Sequence, residues 1–364
     1  MHKTAATPLT FLYAALVVYA SLYPFADWRD QGIAPWEFLL APPPRYWTGL
    51  DVAINMAGYM PLGGLLVLGA LRRGHVRYAL LVSCVLASGL SLGMEMAQGF
   101  LTARVPSRED WLLNTAGALT GAVATLALER WGAIERWSAL RRHWFVADAR
   151  GGLVLLATWP AALLFPPAVP FGLGQVAQRL EAQAWVWLEG TPMAQWLPWG
   201  PVGLQPLSPA AELLCVVLGL LIPCLLGFAV VPSLGRRLVL VPMVLGVGVF
   251  TASLSAAMSW GPEHAGAWMD APTQLALVLA LALAWGLALA PARACVALVL
   301  LALGIYLSLL NQAPESPYLS QTLQAWEQGR FIRFHGLAQW LGWLWPYAAL
   351  LYALAMVWRK DRQN

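Results

Sequence analysis

Three carboxylate–amide pairs at helical spacing are the residues of this chain best suited to chemistry. Asp51 and Asn55 stand four apart, Glu95 and Gln98 three apart, and Asp110 and Asn114 four apart. Residues at those spacings share one face of a helix. Arg104, Ser107 and Arg108 separate the second pair from the third. Arginine forks onto a carboxylate or onto an anionic ligand, and the amides can orient whatever is held. Two carboxylates in unlike surroundings can also divide general acid and base roles.

Three classes of function follow from these types. In the first, Asp51, Asn55, Glu95, Gln98, Arg104, Ser107, Asp110 and Asn114 line a site for an anionic, lipid-linked headgroup. In the second, the chain is a membrane enzyme with Glu95 or Asp110 as acid or base. In the third, the same groups satisfy one another and hold helices together, because buried polar groups must pair. A nucleophile elbow and a phosphate-binding glycine loop are missing from the sequence, and Ser107 has no neighbouring His. Neither a cofactor nor a metal is implied.

The elements that must carry these residues are set by composition. Of 364 residues 59% are hydrophobic and only 11% charged, against about 25% charged in an average soluble domain. The mean hydropathy is +0.62. Charge-free runs such as 238–260 and 273–292 are long enough to cross a hydrocarbon layer of about 30 Å. The expectation is an all-α, polytopic transmembrane bundle of about ten spans. They fall near 8–25, 51–71, 78–101, 111–129, 151–171, 210–231, 238–260, 273–292, 295–311 and 339–358. The first is expected to be an uncleaved span and not a signal peptide, since it lacks a small-x-small cleavage site.

Charge asymmetry orients the bundle. With both termini cytoplasmic, Lys3, Arg72, Arg73, Arg77, the arginines of 130–150, Arg236, Arg237, Arg293 and the basic tail 359–362 lie inside. Arg29, Arg45, Arg104, Arg108, Arg179, Arg330 and Arg333 lie outside, so most of the 22 basic residues face the inner leaflet. The net charge of +4 therefore needs no nucleic-acid partner, and the partner expected is the lipid bilayer. All three polar pairs then gather at the outer ends of spans two, three and four. An ionisable group within a membrane costs about 2.5 kcal/mol or more at the bilayer centre, so such a cluster needs a reason.

Asp51-x3-Asn55-x-Ala57-Gly58 and Asp110-x3-Asn114-x-Ala116-Gly117 repeat one pattern. The first two hairpins read as a duplicated unit related by an axis along the membrane normal, as in parallel transporter repeats. Gly58, Gly63, Gly117 and Gly121, with Pro61, read as helix-packing positions. A secondary transporter is open on the same ground, although the later spans are almost bare of charge.

The strings Asp51-x3-Asn55-x2-Gly58-Tyr59-x-Pro61-Leu62-Gly63, Glu95-x2-Gln98 and Arg104-x-Pro106-Ser107-x2-Asp110-x3-Asn114-x2-Gly117-x3-Gly121 resemble the signature of the VanZ-like family. The resemblance covers roughly the first third of the chain. It implies a multi-pass protein of the bacterial cytoplasmic (inner) membrane with a place in the cell envelope. The family's namesake is associated with resistance to the glycopeptide antibiotic teicoplanin, which makes antibiotic resistance an expectation from resemblance alone.

The domain division expected is a four-span VanZ-like module at 1–130, a cytoplasmic basic linker at 131–150 and a six-span region at 151–364. Aromatic outer segments near 172–209 and 312–338 read as amphipathic helices at the membrane surface. The first sets Val176, Leu180, Ala184 and Trp187 at helical spacing, and the second carries His335 as an interface residue. Cys84, Cys215, Cys224 and Cys295 lie in apolar runs with no CxxC pair and read as small buried hydrophobes. Pro24, Pro160, Pro166, Pro167 and Pro223 read as helix kinks.

Overall fold

The computed structural model describes residues 6–23, 25, 27–42, 49–74, 77–102, 104–165, 167–189, 191, 206–312 and 332–361. Among these it contains twelve α-helices and one isolated bridge, Trp28 to Leu101. This is a polytopic helical bundle, the architecture that membrane insertion demands, because a helix satisfies its backbone polar groups within one segment. Two compact units divide the chain at residue 140, within the fifth helix.

The first unit contains α1 (Ala6–Leu22), α2 (Gly49–Arg72), α3 (Ala79–Gln98) and α4 (Arg108–Arg130). Its small core is Val17, Tyr59, Leu62, Ala87 and Ala118. The tightest approach is that of α2 to α4. A Cβ on Gly117 would strike the Met56 carbonyl, one on Gly121 the Met60 carbonyl, and one on Gly63 the Ala118 carbonyl. From Met56 and Gly117 to Met60 and Gly121 the contact advances by one turn on both helices, so α2 and α4 run parallel. Gly58 is different, since a Cβ there would meet nothing within 4 Å. What Gly58 contributes is its carbonyl, which accepts a hydrogen bond from Tyr13 Oη at 2.9 Å. The two copies of the repeated pattern therefore use their glycines differently. Arg72 and Glu129 approach to 3.8 Å where α2 and α4 end.

Helix α5 (Ala133–Trp144) occupies the segment expected as a basic linker. None of its residues is buried, and Arg141, Arg142 and His143 fill its last turn, where cations suit the helix dipole.

The second unit holds α6 (Arg150–Leu163), α7 (Ala177–Leu188), α8 (Pro209–Val230), α9 (Leu234–Trp260), α10 (Ala271–Leu287), α11 (Ala292–Leu310) and α12 (Ile332–Asp361). Helix α8 is its axis. Every residue from Cys215 to Val230 is buried, as expected of a helix that is apolar all round. Ser208 caps its start by accepting from the Ala211 N–H, with Pro209 in the first turn. Helices α6, α9, α10 and α11 pack around it, and α12 packs on α6 and α11. Among the described residues seven helices are long and apolar enough to cross a membrane; α1 and α10 are shorter apolar helices. Of the prolines expected at kinks, Pro160 lies inside α6 and Pro223 inside α8. Pro24 and Pro166 lie outside the described residues.

One expectation needs correction. The span expected at 151–171 is helical only to Leu163. Beyond it the chain runs irregularly towards α7, with Phe171 at a positive φ of 61°. This buried non-helical stretch is satisfied from distant helices. Tyr306 Oη donates to the Phe171 carbonyl and accepts from the Leu173 N–H, and Asn311 Oδ1 accepts from the Val176 N–H. The second aromatic segment is described only from Ile332 onward, where it is helical and continues into the last span, Ala338–Trp358. Its earlier residues, and the side chain of His335, lie outside the described residues. In the first aromatic segment α7 is present; Val176 at its start is buried, while Leu180 and Trp187 are exposed.

Candidate functional site

Helix α4 begins where the sequence changes from a Pro-containing loop to Ser107-x-x-Asp110. Ser107 is its N-cap, in extended conformation, and its Oγ accepts from the Asp110 N–H at 3.3 Å. Glu109 and Asp110 occupy the first turn, where the positive end of the dipole favours carboxylates. The Ser107 hydroxyl donates to Glu109 Oε2 at 3.2 Å. Ser107 is thus a helix-capping residue, a role that its spacing ahead of Asp110 signals.

Glu95 lies in the last turn of α3 and is only 3% exposed. Its Oε2 accepts from the Ser107 backbone N–H at 2.8 Å. Asp110 Oδ1 accepts from Asn55 Nδ2 at 2.7 Å. A continuous chain of contacts therefore runs from Glu95 through Ser107 to Asp110 and on to Asn55, linking α3, α4 and α2. Hydrogen bonds to ionised acceptors are the stronger kind, and buried ones tolerate little misalignment.

Gln98 and Asn114 turn elsewhere. Gln98 Nε2 donates to the Ser21 carbonyl at the end of α1, at 3.2 Å. Asn114 Nδ2 donates to Ser91 Oγ at 3.0 Å. Arg104 Nη2 donates to the Tyr23 carbonyl at 2.8 Å, and Arg108 pairs with Glu109 at 3.2 Å. Asn55, Glu95, Ser107 and Asp110 are joined by the bonds above, Gln98 and Arg104 also bond to carbonyls at the end of α1, and Asn114 ties α4 to α3. The side chain of Asp51 lies outside the described residues.

Several partners are not evident from the motif. Trp111 Nε1 donates to Ser88 Oγ at 3.0 Å, and Thr115 Oγ1 donates to the same hydroxyl at 3.0 Å. Gln31 Nε2 donates to the Gly99 carbonyl at 2.8 Å, and Arg29 N–H to that of Phe100 at 2.9 Å. The sequence signal for the first of these is the pair Ser88 and Ser91, small polar residues three apart in the middle of α3.

A helical bundle with several apolar spans and a hydrogen-bonded polar layer at one end of its first unit defines a multi-pass membrane protein with a four-helix polar module. Residues 5–129, about the first third of the chain, match the VanZ/LLP1 family model. No curated protein and no solved structure matches the chain.

Proposed function

We propose that the VanZ-like module binds an anionic, lipid-linked headgroup at the outer leaflet of a bacterial cytoplasmic membrane, through the loop carrying Arg104 and Arg108. The observation supporting this reading is the bond from the Ser107 N–H to Glu95. A buried carboxylate is used to fix the backbone of a short loop with an arginine on either side of the bonded residue. Arg108 keeps 37% of its side chain exposed, so its guanidinium reaches the surface. By resemblance, the headgroup would belong to an envelope lipid precursor, and a consequence for teicoplanin susceptibility belongs to the same proposal.

A second reading, a purely structural polar network, is favoured by the bonds that tie Asn55, Glu95, Gln98, Arg104 and Asn114 to protein groups. The two readings differ in solution. Short-chain phosphatidylglycerol or phosphatidylcholine is added to the full chain in an uncharged detergent, and unfolding is followed by temperature. A binding site gives stabilisation by the anionic lipid alone, about 2.7 kcal/mol at a hundredfold excess over Kd, and Arg104→Gln with Arg108→Gln removes it while helicity stays. Equal stabilisation by both lipids, or an unaltered response in the folded variant, leaves only the structural reading.

A further inference from the structure

The second unit encloses a cavity of about 690 Å³ between the irregular stretch after α6, the start of α8, the end of α9 and the segment leading into α10. Its size lies within the range of about 300–1,000 Å³ typical of small-molecule sites. Its walls divide by chemistry. Leu163, Val216 and Ala256 give an apolar floor, and Phe171 and Trp268 meet edge to face at 5.6 Å beside it. Glu212 and Asp270 stand on the lining as exposed carboxylates, and among the described residues no basic one lines it.

The wall is held rigidly. The positive φ of Phe171 is a conformation costly for a non-glycine residue and most often retained where a site requires it. Tyr306 holds its carbonyl, and Trp159 stacks on its ring at 6.3 Å. Two polar groups of the wall are bonded within the protein: Ser255 Oγ donates to the Leu164 carbonyl at 2.9 Å, and Trp268 Nε1 to Ser253 Oγ at 3.2 Å. What the cavity offers a ligand is therefore apolar surface, aromatic faces and negative charge.

We propose that this cavity binds an amphiphilic cation, an ammonium group on an apolar body, with Glu212 and Asp270 at the ammonium and Phe171, Val216 and Trp268 along the body. Aromatic faces attract cations as well as apolar chains, and the carboxylates disfavour an anionic amphiphile. This site is separate from the module proposed to bind an anionic headgroup and takes the opposite charge. The ammonium could come from an aminophospholipid of the membrane or from a free alkylammonium compound.

The test uses the full chain in an uncharged maltoside detergent, titrated by calorimetry with decyltrimethylammonium, decyl sulfate or decanol. Binding of the cation alone, weakened about tenfold in the double variant Glu212→Gln, Asp270→Asn, is the expected result. Asn retains the helix-capping function of Asp270, so the variant loses charge without losing its cap. Repeating the titration with phosphatidylethanolamine in the micelles identifies the source: competition indicates a membrane lipid, and an unchanged affinity indicates a free cation. Equal binding of all three decyl compounds, no binding of the cation, or an unchanged affinity in the double variant would overturn the proposal.

Discussion

The backbone N–H of Ser107 lies 2.8 Å from Oε2 of Glu95, and this bond joins the last turn of α3 to the cap of α4. Because Glu95 is buried, the group left behind when it is removed cannot turn to water. Glu95→Leu is expected to destabilise the chain in detergent by about 1–3 kcal/mol. Glu95→Gln keeps an acceptor oxygen and is expected to cost less. Thermal unfolding followed by circular dichroism measures both; equal losses would mean that the bond is not what holds the loop.

The α2–α4 contact depends on the absence of side-chain atoms. At Gly63, Gly117 and Gly121 a Cβ would overlap a backbone carbonyl of the facing helix, whereas at Gly58 it would enter open space. Overpacking of this kind typically costs about 1–3 kcal/mol. Gly121→Ala is expected to lower the unfolding temperature clearly, and Gly58→Ala to leave it nearly unchanged or raise it through helix propensity.

How far the sequence reaches is visible in particular residues. The charge-free run 238–260 gives most of α9 directly, because a chain in hydrocarbon has few ways to satisfy its backbone other than helix. The irregular stretch around Phe171 is not legible in the same way. Its bonds come from Tyr306 and Asn311, each 135 positions along the chain from its partner, and no local pattern encodes such a partner. The site divides likewise. Asn55, Glu95 and Asp110 stand out as polar residues in apolar helices, yet the partner of Glu95 is a backbone N–H, which every loop residue except proline possesses. In 130–150 the density of basic residues draws the eye to charge and hides the helical spacing of α5.

Arg237 carries a prediction that its place in an inner basic cluster does not suggest. It is 7% exposed. Its guanidinium donates to the carbonyls of Phe228, Val231, Ala288 and Ala290 at 2.6–3.0 Å, drawn from the ends of α8 and α10. Carbonyls at a helix C-terminus lack intrahelical donors and favour a cation. Arg237→Met is expected to destabilise the chain by about 3 kcal/mol or more, and Arg236→Met, whose side chain is only half-buried and bonds to His143, by less. Denaturation of the two variants in the same detergent separates them.

Asp270 gives a dependence on pH. The hydroxyl and then the backbone N–H of Thr273 hold its carboxyl below the ordinary carboxylate value of 3.8, and Oδ1 accepts from that N–H at 2.9 Å. A lowered folded-state pKa means that the stabilisation is complete above the ordinary value and is lost as pH falls through the folded one. Asp270→Ala is expected to cost about 1 kcal/mol at neutral pH. The difference from the unaltered chain should shrink below pH 3.8, which melting curves across that range would reveal.

The proposed site for an anionic headgroup is the loop between α3 and α4. Native mass spectrometry of the mildly extracted full chain, with Arg104→Ala and Arg108→Ala beside it, tests this most directly. A specific anionic or lipid-linked species is expected on the unaltered chain, and both variants should lose it while retaining their helicity. The same bulk lipids on all three proteins would contradict it and leave the polar layer as scaffold alone.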